Sequence, residues 1–220
     1  DPAEMADWPR VDGLDFGFRA PFAYLWGAVD PRGVLHIIRA RYVPQVNTDA
    51  HIYEVHRAEA CPACWPGPDD WPADRWWDRR FRAAESCAVC NGSGRAVPEP
   101  YARAADPADA DARDRWAAMG LPTTAAIKAR REGYGAIDQL LEVRNGSPGL
   151  VVHDHPSTAP LRKEISELAW KDHEAGKRSQ LTVHRETEVV GADHAWDALR
   201  YLVMEARRLR LVDYFHESRK

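Results

Sequence analysis

Acidic side chains at four places in the chain could together hold divalent metal ions. Asp193 and Asp197 lie four residues apart in a segment, residues 191–201, whose pattern predicts the start of an amphipathic helix. Residues at this spacing project from one face of a helix. Asp15 and Asp106 each stand at the end of a strand-like run. If these elements are neighbours in the fold, the carboxylates converge.

The chemistry that converging carboxylates support is phosphodiester hydrolysis with two metal ions. One ion activates a water molecule and the other stabilises the leaving oxygen, with about 3.5–4 Å between the ions. Mg²⁺ takes few protein carboxylates and keeps water and phosphate oxygens as its other ligands. Asp15 stands between Leu14 and Phe16, where an unpaired carboxylate would be costly to bury.

Each acid also has a purely structural explanation. Asp193 and Asp197 are favoured in a first helical turn by the helix dipole. Asp15 could end its strand in a turn that backbone amides satisfy, and Asp106 could cap the helix that follows it. His194 could ligate a metal, orient a water molecule or hydrogen-bond a carboxylate, or it could be a surface residue. Residue types alone leave these alternatives open.

Two further places compete for a role. Asp154, between His153 and His155, is a rival strand-end acid, and the His-Asp-His triplet is similar to a metal-ligand cluster of low specificity. Lys128 follows a strand-like run and could contact a DNA phosphate. A solvated side chain is the simpler expectation for Lys128.

The cysteines form the most specific local pattern. Two Cys-x-x-Cys pairs, with residues 65–86 between them, are formed by Cys61, Cys64, Cys87 and Cys90. This spacing matches a closed tetrahedral Zn²⁺ site, so the ion would be structural or part of a surface that contacts DNA or a partner. Gly92 and Gly94 permit the tight turn that aims amides at thiolates, and this second pair resembles the zinc units of chaperones. A redox dithiol would not need two pairs.

Length and composition are compatible with one sizeable domain that contains an insertion. The chain has 220 residues, 45% of them hydrophobic and nine of them Trp. No apolar run reaches membrane-spanning length, and the N-terminus has no signal-peptide pattern. We expect a domain of a longer protein that is not secreted. The net charge of −4 gives no global sign of nucleic-acid binding, which would need a local basic face.

Hydrophobic periodicity and turn residues predict a mixed α/β order of elements. Strands are expected at residues 11–16, 22–29 and 34–42 as an antiparallel meander, then at 101–105, 121–127 and 149–153, with a hairpin strand at 181–184. Helices are expected at residues 50–60, capped by Thr48, and at 108–119, 133–144, 159–172 and 193–210. Residues 61–98 break the pattern and are predicted to be an insertion, with a short helix at residues 75–84.

In their order along the chain, three motifs resemble the C-terminal nuclease domain of the large terminase subunit of tailed bacteriophages. Residues 13–17 (Gly-Leu-Asp-Phe-Gly) and the hairpin after them look like the first strand of that family. Residues 105–107 (Ala-Asp-Pro), followed by a helix, look like its second acidic strand. Residues 192–201 (Ala-Asp-His-Ala-Trp-Asp-Ala-Leu-Arg-Tyr) are similar to its closing DH-x-x-DA-x-RY helix.

This resemblance implies a ribonuclease-H-like α/β domain over residues 1–220, with a mixed central sheet flanked by helices. It implies Asp15, Asp106 and Asp193 as ligands of two Mg²⁺ or Mn²⁺ ions, with His194 and Asp197 as accessory or alternative third ligands. The four-cysteine zinc segment, residues 61–98, departs from the family pattern. The chain also lacks the phosphate loop of the packaging ATPase module.

The function implied by the resemblance is metal-dependent endonucleolytic cleavage of concatemeric double-stranded DNA during genome packaging. The full-length protein would then include a packaging ATPase domain and would work with a small terminase subunit and a portal in the host cytoplasm. Two alternatives remain open. One is another ribonuclease-H-like enzyme, such as a junction resolvase or a transposase. The other is a non-catalytic, zinc-stapled module that binds DNA or protein.

Overall fold

The computed structural model of the chain describes residues 5, 7–17, 19–64, 87–90, 93–144, 146–167, 169–170, 189–190 and 193–212. Three sequence-based predictions lie outside these residues: the short helix at residues 75–84, the hairpin strand at 181–184 and the turn at Gly92. None of the helices in the described part of the chain is long and apolar enough to cross a membrane.

A six-stranded mixed sheet forms the centre of the fold. Its strands are β1 (Arg10–Asp15), β2 (Phe22–Val29), β3 (Leu35–Val43), β4 (Ala102–Ala105), β5 (Thr124–Ala125) and β8 (Leu150–Val152), in the spatial order β5-β4-β1-β2-β3-β8. The first three strands are an antiparallel meander, whereas β4 runs parallel to β1 and β8 runs parallel to β3. β1 and β4 therefore end at the same edge of the sheet.

Helices cover both faces of this sheet. They are α1 (Thr48–Glu59), α2 (Ala110–Ala118), α3 (Arg130–Leu141), α4 (Ala159–Glu167) and α5 (His194–Arg208). Two small hairpins lie outside the sheet, β6 (Val143–Arg144) with β7 (Ser147–Pro148) and β9 (Ala169–Trp170) with β10 (Val189–Val190). The predicted mixed α/β fold with a central sheet flanked by helices is confirmed.

Alternate residues of β1 and β2 divide the core into two layers. Val11 and Leu25 pack with α3 and α5, whereas Leu14 and Tyr24 pack with α1 and α2 around the fully buried Trp116. Successive side chains of a strand point to opposite faces, so the two layers follow from this period of two. Apolar residues on both faces explain why β2 is buried along its whole length.

The close approach of α5 to the sheet depends on a glycine in β1. A Cβ atom at Gly13 would lie 2.1 Å from the carbonyl oxygen of Ala198 and 2.8 Å from Cβ of Leu202. No other residue fits in this space, so the backbones of β1 and α5 are in direct contact. Because α5 runs antiparallel to β1, the N-terminus of the helix lies beside the end of the strand, at Asp15.

Several element boundaries differ from the predictions for local reasons. The cap of α1 is Asn47, whose side chain accepts from the amide of Ala50, and not Thr48. The helix predicted at residues 159–172 is preceded by a 3₁₀ turn (Pro156–Thr158) and ends at Glu167. The strand predicted at residues 121–127 is only two residues long, Thr124–Ala125.

Candidate active site

Asp15 is the last residue of β1, and its carboxylate contacts the first residue of α5. Its Oδ2 lies 3.0 Å from Nδ1 of His194, although the two residues are far apart in the sequence. Burial raises the pKa of Asp15, and the charges of Asp197 and Asp106 raise it further, so the lowering effect of His194 is outweighed. Asp15 is 8% exposed and thus has little water to stabilise its charge.

His194 connects this carboxylate to the N-terminus of α5. The hydrogen bond to Asp15 raises the pKa of His194, and the charges of Asp15 and Asp193 add to the effect. The ring is half-buried, and its Nδ1 faces Asp15. If Nδ1 donates its proton to Asp15, Nε2 is left as an acceptor.

Asp106 follows β4 directly and lies at the same edge of the sheet. Its Oδ1 accepts from the amide of Ala108 and from Nζ of Lys128, each at 2.8 Å. Burial favours the neutral form, but Lys128 and the Ala108 amide lower the pKa of Asp106 below its usual value. Asp106 does not cap α2, because Asp109 occupies that position. Lys128, which we expected to be solvated, pairs with this carboxylate.

Asp197 lies in the first turn of α5 and is 7% exposed. Its Oδ1 accepts from Nε of Arg200 at 3.0 Å, and its Oδ2 lies 3.7 Å from a guanidinium nitrogen of Arg130. Arg200 is buried and also donates to the carbonyl of Ile127. Arg200 therefore holds this carboxylate by a hydrogen bond, and Arg130 adds a longer ion pair.

Three of the acids lie near the phenol of Tyr201 and affect its pKa. Burial raises the pKa of its phenol, and the charges of Asp197, Asp106 and Asp15 raise it further. The ring packs in a small buried cluster with Ala104 of β4. Because β4 pairs in parallel with β1 and His194 of α5 contacts Asp15, the three elements bring together Asp15, Asp106 and Asp197, which we call the acidic group.

Asp193 has a different position from Asp197. It is the N-cap residue of α5, yet its side chain makes no capping hydrogen bond. Its charge raises the pKa of His194 and of Tyr42, two residues that also lie near Asp15. Asp193 therefore lies one helical turn before Asp197, and the charges of the two acids act on neighbouring residues, since Asp197 raises the pKa of Asp15 and Asp193 raises the pKa of His194.

Solved structures match this chain in their fold. No protein-family model matches the chain, and none of the curated proteins matches it. The nuclease domain of the g2p large terminase of bacteriophage SPP1, solved with bound Mn, has a TM-score of 0.55 at 14% identity, over 94% of this chain and 90% of that one. The P22 large terminase nuclease domain has a TM-score of 0.54 at 14% identity, over 92% and 83%.

The fold is that of a phage large terminase nuclease domain. The large terminase of a thermophilic bacteriophage also matches, with a TM-score of 0.59 at 15% identity over 90% of this chain. This chain spans only 39% of that longer terminase chain. The resemblance inferred from the three sequence motifs is thereby confirmed at the level of the fold.

A residue of α4 that the sequence did not single out supports the site in this terminase nuclease fold. Glu164 is buried, and its two carboxylate oxygens accept from the backbone amide of Trp196 at 2.9 Å and from the hydroxyl of Tyr42 at 2.7 Å. It therefore satisfies one of the free amides in the first turn of α5. The only available sequence signal was an acid on a helix near the end of the chain, which is too common to be informative.

The four cysteines converge although they come from two separate segments. The ligand atoms of Cys61, Cys64, Cys87 and Cys90 all lie within 4.8 Å of one another. The Sγ–Sγ distances of 3.9 Å for Cys61–Cys87 and 3.6 Å for Cys64–Cys90 are too long for disulfides. Backbone amides of Val89 and Cys90 lower the pKa of Cys87 to about 6, which favours a thiolate. The predicted clustering of the cysteines is confirmed.

A buried network of charged side chains joins this cysteine cluster to the sheet. Glu59, two residues before Cys61, is fully buried and accepts from Arg10, Arg103 and Arg95. The amide of Ala96 donates to the carbonyl of Glu59, and the amide of Cys61 donates to that of Gly94. Both cysteine segments are thus hydrogen-bonded to each other and to the end of α1.

Proposed function

We propose that this domain is a metal-dependent endonuclease that cleaves double-stranded DNA, with Asp15, Asp106 and Asp197 as the main ligands of Mg²⁺ or Mn²⁺. The observation that carries the proposal is the meeting of three elements at one end of the sheet: Asp15 ends β1, Asp106 follows the neighbouring parallel strand β4, and the first turn of α5, with Asp197, is joined to Asp15 through His194. Such a concentration of negative charge around hard oxygen donors is what a divalent cation stabilises.

We propose that the acids share two ions, with water molecules and phosphate oxygens as the remaining ligands of each ion. Within the described part of the chain, the cysteines are the only group of three or more possible ligands whose atoms all lie within 4.8 Å of one another. Lys128 forms an ion pair with Asp106, and Arg200 forms one with Asp197. When bound, the metal ions would supply an activated water molecule and a positive charge for the leaving oxygen.

The protein residues then have distinct roles. Lys128 keeps Asp106 ionised and oriented, and Arg200 orients Asp197 by a hydrogen bond. His194 fixes the Asp15 carboxylate through Nδ1 and offers Nε2 as an acceptor to a water molecule. Asp193, which the family resemblance implied as the third ligand, would be an accessory to Asp197 in this proposal.

The wider role is inferred from the structural neighbours, which are terminases and terminase nuclease domains. We propose that the DNA is concatemeric phage DNA that is cut during packaging in the host cytoplasm. The full-length protein would include a packaging ATPase domain and would meet a small subunit and a portal. Residues 61–98 would be an insertion in a single nuclease domain, stabilised by Zn²⁺ on the four cysteines.

Plasmid nicking during a titration with Mg²⁺ or Mn²⁺ tests the proposal. The wild type should nick in the presence of metal, whereas Asp15→Asn and Asp197→Asn should be inactive. Asp154→Asn is the matched control, because this exposed carboxylate pairs with Arg162 on the surface, away from the acidic group. Equal nicking by all four proteins would exclude the site. Preferential cleavage of four-way junctions over linear duplex would favour a resolvase instead.

A further inference from the structure

A groove beside β3, on the face of the sheet that α1 covers, carries an excess of positive charge. It lies between α1 and the 3₁₀ turn before α4 and has a volume of about 330 Å³. We name it the arginine groove after the residues that line it, Arg39 and Arg41 of β3 and Arg57 of α1. Because Arg39 and Arg41 are two apart on a strand, both side chains project from the same face.

Of the three arginines in this groove, one is paired with a carboxylate of the described part of the chain. Arg57 pairs with Glu54, the one carboxylate residue among the residues that line the groove. Arg41 donates from Nε to Nδ1 of His51 at 3.1 Å, a neutral partner, and Arg39 lies over the ring of Trp26 at 5.5 Å. Among the described residues, no carboxylate lies within ion-pair distance of Arg39 or Arg41.

This arrangement destabilises the charged form of Arg41. Burial lowers the pKa of Arg41, and the charges of Arg57 and Arg39 lower it further, against the opposing effect of Glu54. Like charges that are held together and half removed from water destabilise a folded protein unless a bound anion compensates them. Three guanidinium groups with fixed forks suit phosphate oxygens in particular.

The groove lies near the same end of the sheet as the acidic group but on the opposite face, because Arg41 contacts His51 of α1 whereas Asp15 contacts His194 of α5. Asp15 pairs with Ala23, and Ala23 pairs with Tyr42, the residue after Arg41. Two strand spacings of about 4.8 Å therefore separate β1 from β3 at this level. Phosphates recur about every 3.4 Å along each strand of a duplex, so a duplex that lies across this end of the sheet and over both of its faces presents phosphates to both places.

We infer that the arginine groove binds the phosphodiester backbone of the DNA duplex beside the cleavage point. This inference rests on the proposed nuclease function, to which it adds a substrate-holding surface. The aromatic ring of Trp26 keeps Arg39 oriented, and Arg41 is held by His51, so the two cations are positioned before DNA arrives. Contacts to phosphate fix the position of a duplex without reading its sequence.

The test is DNA binding measured by fluorescence anisotropy over a range of salt concentrations, without added Mg²⁺ or Mn²⁺. For the variant Arg39→Ala/Arg41→Ala we expect the dissociation constant for a duplex to rise about tenfold and the salt slope to flatten by about 1.8, which is 0.9 for each lost phosphate contact. Glu54→Gln should do the opposite, because it frees Arg57, with a dissociation constant about threefold lower. A gain of affinity cannot come from misfolding.

The matched control is Arg144→Ala/Arg207→Ala, which removes the same charge from positions at the opposite end of the sheet and of α5. Equal binding and equal salt slopes for the two double variants would overturn the inference, even if the wild type nicks DNA. Polyglutamate is the second probe. If the variant Arg39→Ala/Arg41→Ala loses polyglutamate binding but binds DNA as well as the wild type, the groove takes an acidic protein and the inference is wrong. Loss of nicking in Asp15→Asn, measured in parallel, tests the proposed function separately.

Discussion

Nδ1 of His194 lies 3.0 Å from Oδ2 of Asp15 and thereby links the N-terminus of α5 to the end of β1. This contact places the first turn of the helix, with Asp197, over the edge of the sheet where β4 delivers Asp106. Substitution of His194 by Ala should leave the acids in place but remove this orientation of Asp15. We expect the rate of plasmid nicking to fall about 10–100-fold, as for residues that orient metal ligands. A metal titration measures this rate and the metal concentration at which it is half-maximal.

The two acids of α5 should differ in their importance for activity. Asp197 is buried and strongly influences Asp15, whereas Asp193 stands at the helix cap. Asp197→Asn should therefore reduce nicking about 100-fold or more, and Asp193→Asn by less than about tenfold. The comparison of initial rates at saturating Mn²⁺ decides between them. The reverse order would restore Asp193 as the third ligand.

The sequence was sufficient for much of the fold but not for this choice. β2 was predicted at the residues where it occurs, because an apolar run bounded by a Pro and a turn leaves few alternatives. Asp193 and Asp197 are four apart on one helical face, so the pattern could not tell which of them is nearer to β1. Glu164 and Tyr42 meet only because α4 packs beside β3 and α5. Such partners depend on tertiary packing, which a local pattern does not contain.

Gly13 should be intolerant of any side chain. A Cβ atom there would collide with the backbone of Ala198, so Gly13→Ala must push α5 away from the sheet. We expect a loss of about 2 kcal/mol or more in the free energy of unfolding, measured by urea denaturation. Gly135→Ala is the control, since no atom lies within 4 Å of a Cβ at this position of α3. That variant should be more stable by about 0.5–1 kcal/mol.

The buried carboxylate of Glu59 should support both the core and the cysteine cluster. Glu59→Gln leaves Arg10 and Arg103, both 2% exposed, without their full charge partner. Breaking a buried ion pair in this way costs about 3–5 kcal/mol. We expect a lower urea midpoint and faster loss of zinc to a chelator. Glu142→Gln, which removes an exposed partner of Arg144, should change stability by less than about 1 kcal/mol.

The cysteine cluster should hold one zinc ion per chain in the purified protein. Substitution of Cys90 by Ser removes a ligand whose sulfur also accepts from the amide of Gly94 at 3.3 Å. Zinc content, measured by elemental analysis, should then fall well below that of the wild type, and the melting temperature should fall with it. Nicking should persist at low temperature, because the cysteines are separate from the acidic group. A wild-type protein with little zinc would contradict the assignment.

His51 should make the stability of the domain depend on pH. Burial lowers the pKa of His51 to about 4, and the charge of Arg41 contributes. The unfolded chain has a His pKa of about 6.5. Because the folded value is depressed, the contribution of His51 to stability is fully present above about pH 6.5 and is lost as the pH falls toward 4. The loss should reach about 3.5 kcal/mol at most, since the two pKa values differ by about 2.5 and one pKa unit corresponds to about 1.4 kcal/mol.

The variant His51→Phe isolates this contribution. The new ring can keep the stacking on Phe22, which has a centroid distance of 3.9 Å, but it cannot take up a proton. Urea unfolding of both proteins between pH 4 and 8 should give a shallower fall in stability at acidic pH for the variant than for the wild type. The hydrogen bond from Arg41 is lost at every pH, so it shifts the whole curve without changing its slope. Parallel curves across this range would show that His51 does not titrate as its surroundings indicate.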